Sequence, residues 1–114
     1  MHLLVTCSGL SNTGRLTSQA AQFLVQRHPG RVSWVEVQEP PDDLRERVDE
    51  ATGIIILNGC ADCCATKKLR SAGIDAGSEL VATELGIQKN GMAEVRFCEI
   101  ETVVGAVLTA LSRG

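Results

Sequence analysis

The 114-residue sequence predicts a three-layer α/β/α domain, in which helices cover both faces of a mostly parallel β-sheet of four to five strands. Two observations predict this class. Short apolar runs alternate along the chain with segments whose apolar residues recur at helical spacing. The run GIIILN at 53–58 is apolar almost throughout, which is typical of a strand buried on both faces. No repeat, linker or low-complexity tract interrupts the pattern, so residues 1–114 are expected to form one domain.

The predicted elements alternate between strands and helices in chain order. Strands are predicted at 2–7, 32–37, 53–58, 79–83 and 94–98. Helices are predicted at about 16–27, 42–51, 63–72 and 103–111, the third of them ending at Gly73. The connection GIQKNGMA at 86–93 is short for a helical crossover, so the last strand could run parallel or antiparallel to the others.

Strand order decides which distant residues meet. In the common order 2-1-3-4-5 of flavodoxin- and Rossmann-like sheets, strands one and three are neighbours, and ligands bind at the carboxyl ends of the strands where the order reverses. Cys7 ends the first predicted strand and Cys60 follows the third. Cys63 and Cys64 begin the next helix, whose N-terminal N–H groups favour a thiolate over a thiol. The four cysteines are therefore expected in one crevice.

Composition excludes several classes of partner. The net charge is −3, the pI is about 5.3, and two Phe and one Trp are the whole aromatic content, so nucleic acid is not expected as a partner. No apolar run approaches the ~18 residues of a membrane span, and the N-terminal sequence lacks the pattern of a signal peptide. A cytoplasmic protein without a membrane partner is the expectation.

The five cysteines are too clustered for a simple structural role. In a reducing cytosol, clustered thiols are more often metal ligands or reactive groups than disulfides. Cys98, which is isolated in AEVRFCEI, is the exception and is expected to be an ordinary core residue.

The stretch CADCC at 60–64 favours a bound metal or a redox pair. Three thiolates so close together repel one another unless a cation, a disulfide or protonation neutralises them. Thiolates select zinc, Cu(I) or an iron–sulfur cluster, and structural zinc takes four ligands. The candidate metal ligands are Cys7, Cys60, Cys63 and Cys64. Neither histidine is expected near them, because His2 starts a strand and His28 ends a helix.

The loop CSGLSNTGRL at 7–16 supports a second hypothesis. Small and polar residues between a strand and a helix can hold an oxyanion with backbone N–H groups. The candidate anion-binding residues are Ser8, Gly9, Ser11, Asn12, Thr13, Gly14 and Arg15. The arrangement resembles the phosphocysteine loop of cysteine-phosphorylated subunits of sugar phosphotransferase systems. The alternative is ordinary helix capping by Ser11, Asn12 or Thr13.

Three segments together resemble the DGC-domain family, whose members are small, of poorly known function and proposed to bind zinc. The segments are CSGLSNTGRL at 7–16, ILNGCADCCATKKLRSAGI at 56–74 and LVATELGIQKN at 80–90, in the family's order. The resemblance implies that the first motif is Cys7, Ser8 and Gly9. It also implies that Gly59 and Cys60 begin the second motif, and that Cys64 takes that motif's second cysteine position.

The sequence departs from the family pattern at four places. Asn58 replaces the eponymous Asp, Ala61 replaces a Pro, and Cys63 is additional. The family's further cysteine, expected after the second strand, has no counterpart in VSWVEVQEP. A fourth metal ligand would then come from Cys63, Cys98, Glu36, water or a second chain.

The leading hypothesis is a small metal-binding protein in which Cys7, Cys60 and Cys64, with Cys63 as a further candidate, hold zinc or another thiophilic metal. Its partners would be the metal ion and, in an accessory role, another protein. Enzymatic turnover is left open, because no general base lies near the thiols in the sequence. Two alternatives stand beside it: a thiol–disulfide redox protein using Cys60 with Cys63 or Cys7 with Cys64, and phosphoryl or oxyanion chemistry on Cys7.

Overall fold

The computed structural model describes residues 2–7, 12–37, 41–59, 63–74, 78–88 and 94–113. Strands and helices alternate along the chain, which confirms the α/β class. The elements are β1 (His2–Thr6), α1 (Asn12–Arg27), β2 (Val32–Glu36), α2 (Pro41–Glu50), β3 (Gly53–Asn58), α3 (Cys64–Ser71), β4 (Ser78–Val81) and α4 (Phe97–Arg113), with a short 3-10 helix at Ala82–Leu85.

The four strands form one parallel sheet in the order β2-β1-β3-β4. In register, Thr6 of β1 lies beside Glu36 of β2 and Leu57 of β3. This confirms the predicted order for these strands, including the adjacency of the first and third. Because all four strands run the same way, their carboxyl ends lie at one side of the sheet, which we call the carboxyl edge.

Side chains of the central strands alternate between two apolar layers, as the pleat of a strand requires. One layer lies between the sheet and helices α1 and α4, and the other faces α2 and α3. The first contains Leu4, Ile55, Leu57, Leu16, Leu24, Val103 and Val107, and the second contains Leu3, Val5, Ile56, Leu44 and Leu69. Both faces of the sheet are therefore covered, which explains why β3 is apolar on both sides.

The prediction of a strand at 94–98 is wrong. Residues 94–96 have no regular structure, and Phe97 and Cys98 begin α4. A local interaction explains the difference: the Glu99 carboxylate accepts a hydrogen bond from the Arg96 N–H at 2.9 Å, which satisfies a donor at the start of the helix. Cys98 is consequently exposed on the first turn of α4, so its prediction as a core residue is also wrong.

The boundaries of α3 agree closely with the predicted helix. Gly73 adopts a left-handed conformation (φ 77°), and the Ile74 N–H donates to the Leu69 carbonyl at 2.9 Å, which closes the last turn. Across the described ranges, no helix combines the length and apolarity needed to cross a membrane.

Candidate functional site

Cys7 lies one residue beyond β1 at the carboxyl edge. Its N–H donates to the Leu57 carbonyl at 3.3 Å, which extends the contact between β1 and β3. The side chain is 6% exposed, and its Sγ lies 3.7 Å from the Thr17 hydroxyl of α1. Because that hydroxyl donates to the Gly14 carbonyl at 2.7 Å, its oxygen is left to accept from the Cys7 thiol. Cys7 is thus a buried thiol held against the first turns of α1.

The end of β3 packs directly on the first turn of α1. Gly59 is buried, and a Cβ added there would lie 2.9 Å from the Gly14 nitrogen and 2.9 Å from the Thr13 carbonyl carbon. Only glycine allows this approach, because backbone atoms cannot move aside as a side chain can. The contact brings the chain that leaves β3 to the same helix turn that Cys7 faces. Cys60, the next residue in the sequence, lies outside the described residues.

Asn58, the last residue of β3, ties the start of α3 to β4. The residue is 1% exposed, and its Oδ1 accepts hydrogen bonds from the N–H groups of Ala65 at 3.1 Å and Thr66 at 3.4 Å. Its Nδ2 donates to Thr66 Oγ1 and to Glu79 Oε1, each at 2.8 Å. The amide therefore serves two functions, as an acceptor for the first turn of α3 and as a donor that fixes the Glu79 carboxylate.

Cys63 precedes α3 in a conformation that non-glycine residues seldom adopt. With φ 51° and ψ 47°, it is left-handed, and it is the one non-glycine residue with positive φ in the ranges described. Burial raises the pKa of the Cys63 thiol, and a side-chain hydrogen bond to Glu79 acts in the same direction. The negative charges of Glu79 and Glu84 raise this pKa further, while Lys67 lowers it. Metal-free Cys63 is therefore a thiol at neutral pH.

The predicted metal ligands are found in two surroundings. Cys7 is buried against α1, whereas Cys63 and Cys64 stand at the start of α3, half-buried and exposed respectively. All three carry free thiols. Within the parts of the chain that the structure describes, no three His, Cys, Asp or Glu side chains lie close enough together to hold a metal ion. A site that joins the two surroundings would need Cys60, whose structure is not among those parts.

Two residues considered as a fourth ligand lie elsewhere in the fold. Cys98 is on the exposed first turn of α4. Glu36 ends β2, which β1 separates from β3. The donor types found near α3, thiol sulfur and carboxylate oxygen, are both ones that zinc accepts. The chemistry of the residues therefore fits zinc.

The anion-binding candidates are described only from Asn12 onward, since Ser8, Gly9 and Ser11 lie outside the described residues. Asn12, Thr13 and Gly14 are buried in the first turn of α1, and Arg15 is half-buried. The Asn12 Nδ2 donates to the Gln88 carbonyl at 2.8 Å, which ties α1 to the segment after the 3-10 helix. This amide holds two parts of the fold together, and anion binding by the loop stays a prediction.

Two residues of the site were not predicted from the sequence. Thr17, the neighbour of Cys7, stands on α1 three residues after Gly14, outside the polar loop. Glu79 comes near Cys63 only because β4 pairs with β3 in a register that places it beside Ile56. A pattern within one segment cannot reveal such a pairing.

Comparison with known proteins gives one match. The family model described as the DGC domain matches residues 3–107, from β1 into α4. No curated protein matches the chain at a significant level. The matched range includes all five cysteines and both residues, Asn58 and Glu79, that surround Cys63.

Proposed function

The chain belongs to the DGC domain family, and we propose that it binds a thiophilic metal ion, zinc in the first instance, at the carboxyl edge. The proposed ligands are Cys7, Cys60, Cys63 and Cys64. The observation that supports this most strongly is the contact between Gly59 and the first turn of α1, because it brings the end of β3 beside the helix turn that holds Cys7.

The chemistry of the proposal follows from the state of the thiols. Cys7 donates toward a hydroxyl and Cys63 toward a carboxylate, so both enter the reaction protonated. Zinc binds thiolates, so each cysteine that becomes a ligand releases its proton to solvent. Zinc itself would supply charge neutralisation, which allows several thiolates to lie close together. Metal binding would then be favoured as the pH rises.

The role that suits such a domain is metal handling, or support of a metal site used by a protein partner. We place the protein in the cytoplasm, where a reducing environment keeps its thiols available. The four cysteines that the structure describes are all free, which is compatible with that location.

Serine substitutions test the ligand set. We expect Cys7→Ser, Cys60→Ser and Cys64→Ser each to weaken zinc binding at least about tenfold, because each replaces a thiolate by a poor ligand and a tenfold change corresponds to ~1.4 kcal/mol. The measurement is competition with a chromophoric chelator. Cys98→Ser is the matched control, since Cys98 is exposed on α4, and its affinity should stay within about twofold. Unchanged affinity in all three variants would contradict the proposal.

The same variants separate the two alternatives. A thiol–disulfide protein would bind no stoichiometric metal and would form a disulfide that a reductant reverses. Phosphoryl chemistry on Cys7 would make labelling by a phosphodonor depend on Cys7 while Cys60→Ser and Cys64→Ser still become labelled.

A further inference from the structure

The surroundings of Cys63 include a carboxylate that is fixed in place by a buried amide. The Glu79 Oε1 accepts from Asn58 Nδ2 at 2.8 Å. Asn58 is itself held by the backbone N–H groups of Ala65 and Thr66, so the Glu79 carboxylate is anchored to the rigid start of α3. An exposed glutamate without such an anchor would sample many rotamers, and ordering it would cost entropy. Glu79 is thus already placed for a ligand before any ligand arrives.

The anchored carboxylate meets the Cys63 thiol. The two side chains are hydrogen-bonded, so a sulfur donor and an oxygen donor face each other. Glu84 adds a second negative charge that acts on the same thiol, and Lys67 opposes it. A cysteine among carboxylates is poorly placed to become a free thiolate, whereas a divalent cation would be attracted by all three groups.

The position of Glu79 in the sheet agrees with a shared site. β3 lies between β1, which leads to Cys7, and β4, which carries Glu79. Residues from both neighbouring strands therefore flank the carboxyl end of β3, from which the chain continues to Cys60 and Cys63. The candidates considered from the sequence, Glu36 and Cys98, do not have this position.

We infer that Glu79, positioned by Asn58, is an oxygen ligand of the metal held by the thiols. The inference rests on the proposed function and adds to it a residue and a preference among metals. On binding, the metal replaces the proton that Cys63 shares with Glu79: the Cys63 S–H bond breaks, the proton goes to solvent, and both the sulfur and the carboxylate oxygen bond to the metal. An oxygen ligand suits zinc and disfavours Cu(I), which prefers soft sulfur ligands.

Glu79→Gln in the full chain tests this inference. The glutamine Oε1 can still accept from Asn58 Nδ2, so the fold should be kept while the charged ligand is lost. We expect zinc affinity, measured by chelator competition, to fall at least about tenfold, which corresponds to ~1.4 kcal/mol. Cu(I) affinity should change less than about twofold. In the Co(II)-substituted protein the visible d–d bands should shift, while sulfur-to-cobalt charge transfer persists.

Two control variants distinguish ligation from a general effect of charge. Glu84→Gln removes a charge that acts on Cys63 and should change zinc affinity by less than about threefold. Glu79→Asp keeps the charge but shortens the side chain by one methylene, so a ligand role predicts weaker zinc binding here too. Equal losses in Glu84→Gln and Glu79→Gln, or wild-type affinity in Glu79→Asp, would overturn the inference.

The outcomes also separate this inference from the proposed function. If wild-type protein binds zinc tightly and Glu79→Gln binds it within about twofold with an unchanged Co(II) spectrum, Glu79 is not a ligand while the thiol site stands. If the wild-type chain binds neither zinc nor Co(II), both the inference and the proposed metal site are wrong.

Discussion

Asn58→Ala is expected to lower the free energy of unfolding by about 2–4 kcal/mol, from the combined loss of a helix-terminal acceptor and of buried hydrogen bonds. The Asn58 side chain is 1% exposed and makes contacts with Ala65, Thr66 and Glu79. Its removal leaves two N–H groups at the start of α3 without their acceptor. Denaturant unfolding followed by circular dichroism measures the change, provided that the m-value is unchanged.

Thr66→Val is the matched control for this prediction. It removes the hydroxyl that accepts from Asn58 Nδ2 but leaves the acceptor Oδ1 in place for the helix. We expect a smaller loss of about 1–2 kcal/mol, because one buried hydrogen bond is broken. A loss in Asn58→Ala no larger than that in Thr66→Val would show that the amide does not hold the start of α3.

Gly59→Ala is expected to lower the free energy of unfolding by about 1–3 kcal/mol, the usual range for forcing extra volume into a packed interior. The added methyl group would meet backbone atoms of Thr13 and Gly14 at 2.9 Å, so β3 and α1 must separate. We also expect weaker zinc binding, because the same contact brings the end of β3 beside Cys7. Chemical denaturation and chelator competition measure the two effects on one sample.

Gly105→Ala is the control for the glycine substitution. Gly105 is exposed within α4, and an added Cβ there meets no atom within 4 Å. Alanine should therefore stabilise the helix by about 0.5–1 kcal/mol and leave metal binding unchanged. If Gly59→Ala instead matched Gly105→Ala in both measurements, the close approach of β3 to α1 would not contribute to stability or to the site.

Much of the fold could be predicted because its determinants are local. The run at 53–58 is apolar throughout, which indicates a central strand, and the structure places β3 between β1 and β4. The general order of such sheets then predicts that Cys7 and the segment after β3 share one edge. The observed hydrogen bond from the Cys7 N–H to Leu57 confirms that adjacency.

The errors have a common physical origin. The strand predicted at 94–98 rested on its β-branched and aromatic residues, but Glu99 stabilises the start of a helix there. Phe97, expected in a strand, is exposed on α4 and makes an edge-to-face contact with Phe23, at 6.4 Å between ring centroids. The local helix-start interaction outweighed the intrinsic strand preference.

The function of Asn58 could not be predicted from the sequence. Its departure from the family's Asp suggested only a missing carboxylate. The structure shows that its amide donates to the carboxylate of Glu79, which a second Asp would repel at that distance. Recognising this requires the register between β3 and β4, and a sequence pattern within either strand does not contain it.

The central claim is that the thiols at the carboxyl edge hold a metal, and metal content per chain tests it most directly. Protein purified without oxygen is analysed by mass spectrometry for zinc, copper and iron, and its free thiols are titrated before and after chelation. We expect about one zinc per chain, with thiols that become reactive when the chelator removes it. Metal-free protein whose thiols react rapidly from the start, and which takes up no zinc when it is supplied, would contradict the claim.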